Sequence, residues 1–218
     1  MMSKDEMLKL MVDTGLYLVT EDDVTAEQRL KAVAEALAGG ARVVQLRDKH
    51  TPKRLLLGEA RAMRSLCRDW GALFIVNDDV ALAWAADADG VHVGQEDLPA
   101  EEARRLLGDA KLIGLSTSAV EEAVEAARLG VDYIGVGAIY ATPTKLKAKQ
   151  RGLELLRATR AAVDIPLVAI GGIDATNAAE VFAAGADAVA VVRAVFAQPK
   201  PGDAARKLLD IARIAKQK

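Results

Sequence analysis

The stretch Gly39-Gly-Ala-Arg-Val-Val-Gln-Leu-Arg-Asp-Lys49 joins a helix stop, a buried strand and a polar exit. Its paired glycines end a helical pattern, the usual place for left-handed backbone. Val43 and Val44 are β-branched and open an apolar run that reads as a buried strand. Beyond them the polarity alternates. Gln45, Arg47 and Lys49 share one parity, Leu46 and Asp48 the other. Residues two apart on a strand point to the same side. A strand that runs on to Lys49 therefore sends an amide and two cations out of its carboxyl end in one direction. Inside a packed domain that is costly unless an anion lies opposite.

The same joint recurs along the chain, at Ala88–Asp–Gly90, Gly130–Val–Asp132 and Gly185–Ala–Asp187. Each falls between a helical pattern and an apolar, strand-like run. Strands are expected over Gly15–Thr20, Arg42–Arg47, Ala72–Asn77, Gly90–Gly94, Lys111–Ser116, Asp132–Gly137, Pro166–Ile170 and Ala188–Val192. Helical patterns separate them, among them Thr25–Leu37 with Thr25 as N-cap, Thr51 to Trp70 with Pro52 early in its first turn, and Gly202–Lys216 at the end. Residues 1–14 read as a short amphipathic extension, and 138–151 as a long non-periodic loop of the lid type.

Right-handed strand–helix units in this number close most simply into a (β/α)8 TIM barrel, an α/β fold occupying 1–218 as a single domain. The rival is an open doubly wound sheet. It usually has a glycine-rich turn after the first strand, and here Thr20-Glu-Asp-Asp23 stands in that place.

Composition limits the function classes. Aromatic residues are 4% of the chain and the net charge is -2. That balance does not suit general nucleic-acid binding, which wants a strongly basic face. No apolar window is long enough for a membrane helix, and the amino terminus lacks a signal-peptide core. A cytoplasmic protein without membrane or nucleic-acid partners is expected. The single cysteine, Cys67, excludes an intramolecular disulfide and reads as a packed thiol. Alanine-rich helix faces suit helix–sheet packing and a homo-oligomer contact equally.

In a barrel, function belongs at the carboxyl ends of the strands, and the polar residues collect there. Gln45, Arg47 and Lys49 follow the second strand, Asn77–Asp78–Asp79 the third, Gln95–Glu96–Asp97 the fourth and Ser116 the fifth. Thr142–Pro143–Thr144–Lys145 follow the sixth, Gly171–Gly172 the seventh and Arg193 the eighth. Asp78 and Asp97 lie one unit apart, which predicts equivalent heights on neighbouring strands, about 5 Å from each other. Two such carboxylates suit Mg2+, which takes one or two carboxylates plus phosphate oxygens and water. Helix capping is the plainer role for acids here. It is preferred for Asp79, and the metal for Asp78 and Asp97, because acids and cations then alternate around one mouth. Zinc is disfavoured for want of His and Cys. Gly171–Gly172 offer bare amides at the usual monophosphate site of this fold. Two anion sites follow, one cationic and metal-assisted, the other built from amides. His92, mid-strand between valines, reads as a satisfied core histidine rather than a base.

Taken together, Gln45-Leu-Arg-Asp-Lys49, Asn77-Asp-Asp79, His92-Val-Gly-Gln-Glu-Asp97, Gly114-Leu-Ser116, Gly135-Val-Gly-Ala-Ile-Tyr-Ala-Thr-Pro-Thr-Lys145 and Ala169-Ile-Gly-Gly-Ile173 resemble the thiamine-phosphate synthases over nearly the whole chain. The resemblance implies a transferase that joins 4-amino-2-methyl-5-pyrimidinylmethyl diphosphate to a (carboxy)thiazole phosphate. The products are thiamine phosphate, diphosphate and, from the carboxylated tautomer, CO2. It implies a dissociative, Mg2+-assisted mechanism. It also implies that Gln45, Leu46, Arg47, Asp48, Lys49, Asn77, Ser116 and Lys145 bind the pyrimidine diphosphate. Thr142, Pro143, Thr144, Gly172, Val192 and Arg193 would hold the thiazole phosphate, and Asp78 and Asp97 the Mg2+. Catalytic roles fall to Arg47, Lys49, Ser116 and Lys145.

The chain departs from the family at two places. Arg193 stands where a serine is usual, and Ser118 where a histidine is frequent. The related thiazole tautomerases need a proton-transfer residue, for which a histidine near Ser118 is the obvious candidate. Its absence, with Arg47, Lys49, Asp78 and Asp97 all present, favours the synthase. A catalytically dead barrel that binds a thiamine precursor would have no need of the acid pair.

Overall fold

Strand and helix alternate as the joints predict, and the strands close on themselves. The computed structural model describes residues 2–142 and 150–217. Its elements are α1 Lys4–Thr14, β1 Leu16–Val19, α2 Ala26–Ala38, β2 Val43–Leu46, α3 Lys53–Asp69, β3 Leu73–Asn77, α4 Val80–Ala85, β4 Gly90–Val93, α5 Ala100–Leu107, β5 Leu112–Thr117, α6 Val120–Arg128, β6 Tyr133–Gly137, α7 Gly152–Ala162, β7 Leu167–Ile170, α8 Ala178–Ala183, β8 Ala188–Val191, α9 Arg193–Phe196 and α10 Pro201–Ala215. All eight strands are parallel and in sequential order. β1 closes the barrel by pairing with both β2 (Leu18 opposite Val44) and β8 (Leu16 opposite Val189).

Strand parity divides the core in two. Leu18, Val44, Leu46, Phe74, Val76 and Val91 face outward and pack under the helices. Tyr17, Val19, Val43, Leu73, Ile75, Leu112, Tyr133 and Val168 face the barrel interior. The extension expected over 1–14 is a capped helix. Ser3 accepts the Glu6 amide and Glu6 accepts the Ser3 amide, a full capping box. Its Met7 and Met11 are buried with the interior residues, and Lys4 reaches Asp132 at 3.1 Å. So α1 plugs the amino-terminal end of the barrel.

The aspartates of the joints have a job that helix termination does not explain. Asp89, Asp132 and Asp187 each stand just before an even strand and accept the backbone amide of the preceding odd strand, from Phe74 (2.8 Å), Ile113 (2.7 Å) and Leu167 (2.8 Å). Each also meets an arginine from the helix that precedes the odd strand: Arg64, Arg104 and Arg160. Three strand pairs are thus stitched the same way at the end of the barrel remote from the site. Two differences from expectation bear on the site. β2 ends at Leu46 rather than Arg47, and an extra short helix, α9, follows β8.

Candidate active site

Although β2 stops early, the parity of its exit holds. Gln45, Arg47 and Lys49 all line a cavity at the carboxyl-terminal mouth. The Arg47 guanidinium rests on the Asp22 carboxylate, from the β1–α2 loop. Lys49 pairs with Asp78 at 3.2 Å. Leu46 and Asp48, of the other parity, turn their side chains away from this cavity. Leu46 is buried under the helices. Asp48 turns outward to Arg29 (2.9 Å), the amides of His50 (2.9 Å) and Thr51 (2.7 Å), and the Thr51 hydroxyl (2.8 Å). Burial opposes its charge, but these donors outweigh it and hold the carboxyl at about 2.

Arg29, 3% exposed, is the hub of this corner. Besides Asp48 it meets Glu59 at 2.5 Å and donates to the carbonyls of Glu21 (3.0 Å), Asp22 (3.3 Å) and Val24 (3.3 Å). One guanidinium therefore ties the loop that carries Asp22 to the loop that carries Arg47 and Lys49. Nothing in the local sequence marks it, because its partners lie on three different segments.

The acid pair assembles differently from the expected neighbouring heights. Asp78 follows β3 directly and takes left-handed backbone (φ 62), which aspartate tolerates better than most residues. Asp97 lies four residues beyond the end of β4 and folds back, accepting the Gly94 amide at 2.7 Å. Burial raises the Asp97 pKa, and the adjacent Asp78 carboxylate, within hydrogen-bonding reach, raises it further. Neither acid caps a helix. Asp79 does, accepting the Leu82 amide at 2.8 Å, and Pro99 occupies the cap of α5. Among the described residues no group of three or more His, Cys, Asp or Glu is placed to hold a metal. Two adjacent carboxylates, one paired with Lys49 and the other accepting the Gly94 amide through one oxygen, form a donor set that suits Mg2+ completed by phosphate oxygens and water.

The cavity floor is a run of polar side chains across the barrel interior. The His92 ring bonds Ser116 Oγ through Nε2 (2.9 Å) and the Tyr133 hydroxyl through Nδ1 (3.2 Å). The Tyr133 and Tyr17 hydroxyls are 2.9 Å apart, and Gln45 Nε2 donates to Tyr17 at 2.8 Å. His92 is thus a satisfied histidine, as its strand context suggests. Burial lowers its pKa to about 4, so the ring is neutral. Close packing makes room for it: a Cβ on Gly114 would lie 2.2 Å from Tyr133 Cζ and 2.5 Å from His92 Nδ1. Tyr17 and Tyr133 were not legible as site residues. The one hint was glycine inside strands at 114 and 135, which marks close approach.

On the far side, Thr142, Gly171, Gly172, Val192 and Arg193 line the same cavity. Gly172 has φ 63, and a Cβ there would meet Ala141 O at 2.5 Å, so only glycine lets this loop lie against the segment that leads to Thr142. Val192 and Arg193 begin α9. Pro143, Thr144 and Lys145 lie outside the described residues. The cavity measures 1440 Å3, beyond the range of about 300–1,000 Å3 usual for one small ligand.

Comparison with known proteins agrees with this arrangement. The thiamine monophosphate synthase family model matches residues 16–195. The thiamine-phosphate synthase of Moorella thermoacetica is 52% identical over 190 residues, covering 87% of this chain and 90% of that one. That of Chloroflexus aurantiacus is 49% identical over 209 residues, with 95% and 96% covered. The solved thiamine phosphate pyrophosphorylase from Pyrococcus furiosus superposes with a TM-score of 0.85 at 38% identity, covering 94% of this chain and 98% of that one. A family match that spans every strand, with relatives near half identical over almost their full lengths, means that the chain belongs to the thiamine monophosphate synthase family and is a transferase of thiamine biosynthesis.

Proposed function

We propose that this cavity joins 4-amino-2-methyl-5-pyrimidinylmethyl diphosphate to a (carboxy)thiazole phosphate, giving thiamine phosphate and diphosphate and, from the carboxylated form, CO2. The observation that carries the reading is one cavity with two unlike anion-binding walls. Arg47 and Lys49 stand beside the Asp78–Asp97 pair on one side, and Gly171–Gly172 with Val192–Arg193 on the other. Two phosphorylated substrates would then lie face to face.

Bond formation in this reading begins with departure of diphosphate. The bond from the pyrimidinylmethyl carbon to the diphosphate oxygen breaks, and its electron pair leaves with the oxygen. Arg47 and Lys49 stabilise the charge that develops there. Asp78 and Asp97 would hold Mg2+, which supplies a Lewis acid for the same oxygens. Gln45, Asn77 and Ser116 orient the pyrimidine diphosphate, and Lys145 serves the same substrate. Thr142, Pro143, Thr144, Gly172, Val192 and Arg193 hold the thiazole phosphate so that its ring nitrogen attacks the methylene carbon. No residue acts as general base for bond formation, in keeping with a neutral, fully bonded His92.

The test mixes both substrates with Mg2+ and measures thiamine phosphate and diphosphate. Asp78→Asn with Asp97→Asn is expected to abolish diphosphate release and the thermal stabilisation by Mg2+ while thiazole-phosphate binding persists. Wild-type turnover in that variant removes the metal assignment.

A further inference from the structure

The floor of the cavity carries more than packing. Barrel interiors of this fold are ordinarily filled by branched apolar side chains. Here one continuous run of five polar groups, from β2, β1, β6, β4 and β5, crosses the interior. A buried polar network is tolerated only when each member is satisfied, and an apolar filling would be the simpler solution. Such a run earns its place when its ends are used.

Its direction follows from donor chemistry. The Gln45 amide nitrogen can only donate, and it donates to Tyr17. Either tyrosine could donate to the other, but with Gln45 donating to Tyr17 the opposite sense leaves the Tyr17 proton without an acceptor in the run, so Tyr17 is assigned as donor to Tyr133 and Tyr133 as donor to His92 Nδ1. A neutral histidine that accepts at Nδ1 carries its proton on Nε2, so it donates to Ser116 Oγ. Ser116 is left with its hydroxyl proton directed elsewhere, and Gln45 with its amide oxygen. Among the described residues neither has another side-chain partner, and both residues line the cavity.

We propose that Tyr17, Tyr133 and His92 are positioning residues, a one-way hydrogen-bond chain that fixes Ser116 as a donor and Gln45 as an acceptor toward the pyrimidine diphosphate. The proposal rests on the reading that Gln45 and Ser116 touch that substrate, which itself carries both an amino group and acceptor atoms. Reversing the Tyr17–Tyr133 link reverses the two links beyond it as far as Ser116 and, unless the Gln45 amide turns over as well, leaves the Tyr17 proton without an acceptor, which couples the polarity of the two ends.

The spectroscopic test is independent of turnover. The chain has two histidines, so His50→Gln with 15N-labelled histidine leaves one ring to observe. The expected signature is a neutral His92 protonated at Nε2; protonation at Nδ1 overturns the direction of the chain. The kinetic test is Tyr133→Phe. It is expected to lower kcat/KM for the pyrimidine diphosphate about tenfold, as for loss of one buried hydrogen bond, and to leave KM for the thiazole phosphate unchanged. A variant that is only partly folded would lower kcat and move neither KM. Unchanged kinetics in both Tyr133→Phe and Tyr17→Phe overturn the positioning role. Ser116→Ala and Gln45→Ala separate the two levels. Wild-type kinetics in both would sink the reading of the substrate contacts. Impaired kinetics in them beside an unimpaired Tyr133→Phe would sink the chain alone.

Discussion

Replacing Arg29 by methionine tests how the cationic wall is held. The side chain keeps its length and apolar stem but loses every donor. Asp48 and Glu59, each at most 5% exposed at the side chain, then share a buried corner with no cation. Removing one partner from a buried ion cluster costs about 3–5 kcal/mol, because the remaining charges are uncompensated. At about 2–4 °C per kcal/mol for a chain of this size, Tm falls by about 10 °C. Urea denaturation gives the same quantity as a shift in midpoint at constant slope.

The pH dependence has a definite sign. Asp48 is held at about 2, below its ordinary value. Its contribution, of order 2 kcal/mol, is fully present above about pH 4 and is lost as pH falls through about 2. The Thr51 and His50 amides and the Thr51 hydroxyl lower the Asp48 pKa more than Arg29 does, so much of that contribution survives in Arg29→Met; the gap between wild type and variant narrows on acidification because carboxylates left without Arg29 take up protons more readily than in the wild type. Adding Asp48→Asn and Glu59→Gln to Arg29→Met should recover more than half of the loss, since no bare charge remains. Because Arg29 ties the loops that carry Asp22, Arg47 and Lys49, KM for the pyrimidine diphosphate should rise while that for the thiazole phosphate holds. A loss below about 1 kcal/mol, the level of an exposed ion pair, or a gap that widens toward acid, would refute the reasoning.

Two further outcomes are expected. Arg193→Ser should raise KM for the thiazole phosphate about five- to tenfold, the loss of a charge-assisted contact, with KM for the pyrimidine diphosphate unmoved; equal effects on both would remove Arg193 from the phosphate wall. Met7→Ala with Met11→Ala should cost about 2–5 kcal/mol per site in chemical denaturation yet leave kcat at 20 °C unchanged, because α1 fills the end of the barrel opposite the mouth; a kinetic defect in fully folded protein would contradict that placement.

The barrel was legible because its signals are local. A glycine or aspartate joint, a short apolar run and a helical period recur within each unit, and the helix N-caps at Thr25 and Asp79 fall where the residue types suggest. What escaped is tertiary. The aspartates of the joints stitch strand to strand through arginines 25 to 28 residues away, and α1 buries Met7 and Met11 in an interior that exists only once the barrel closes. The interior chain escaped for the same reason. Tyr17, His92 and Tyr133 each read as one polar residue in an apolar strand, and their relation is across the barrel rather than along it.

The stretch 39–49 shows where the two kinds of reading part. Family resemblance assigns a contiguous run, Gln45 to Lys49, to the substrate. Strand geometry assigns alternate members, and the side chains of Gln45, Arg47 and Lys49 face the cavity while Leu46 and Asp48 do not. The outward members still serve the site indirectly. Asp48, held by Arg29 and by the amides of His50 and Thr51, fixes the backbone from which Arg47 and Lys49 project. Charges at the amino-terminal end of the barrel are spent on one another, in the Asp89–Arg64, Asp132–Arg104 and Asp187–Arg160 pairs. At the mouth, Arg47 pairs with Asp22 and Lys49 with Asp78, but Arg47, Lys49, Asp78 and Asp97 also border open cavity. Arg29 is the exception that joins the two uses: a fully engaged, buried ion cluster at the functional end. Its placement there fits the proposed function, in which cations that meet a departing diphosphate are held in position before that charge arrives.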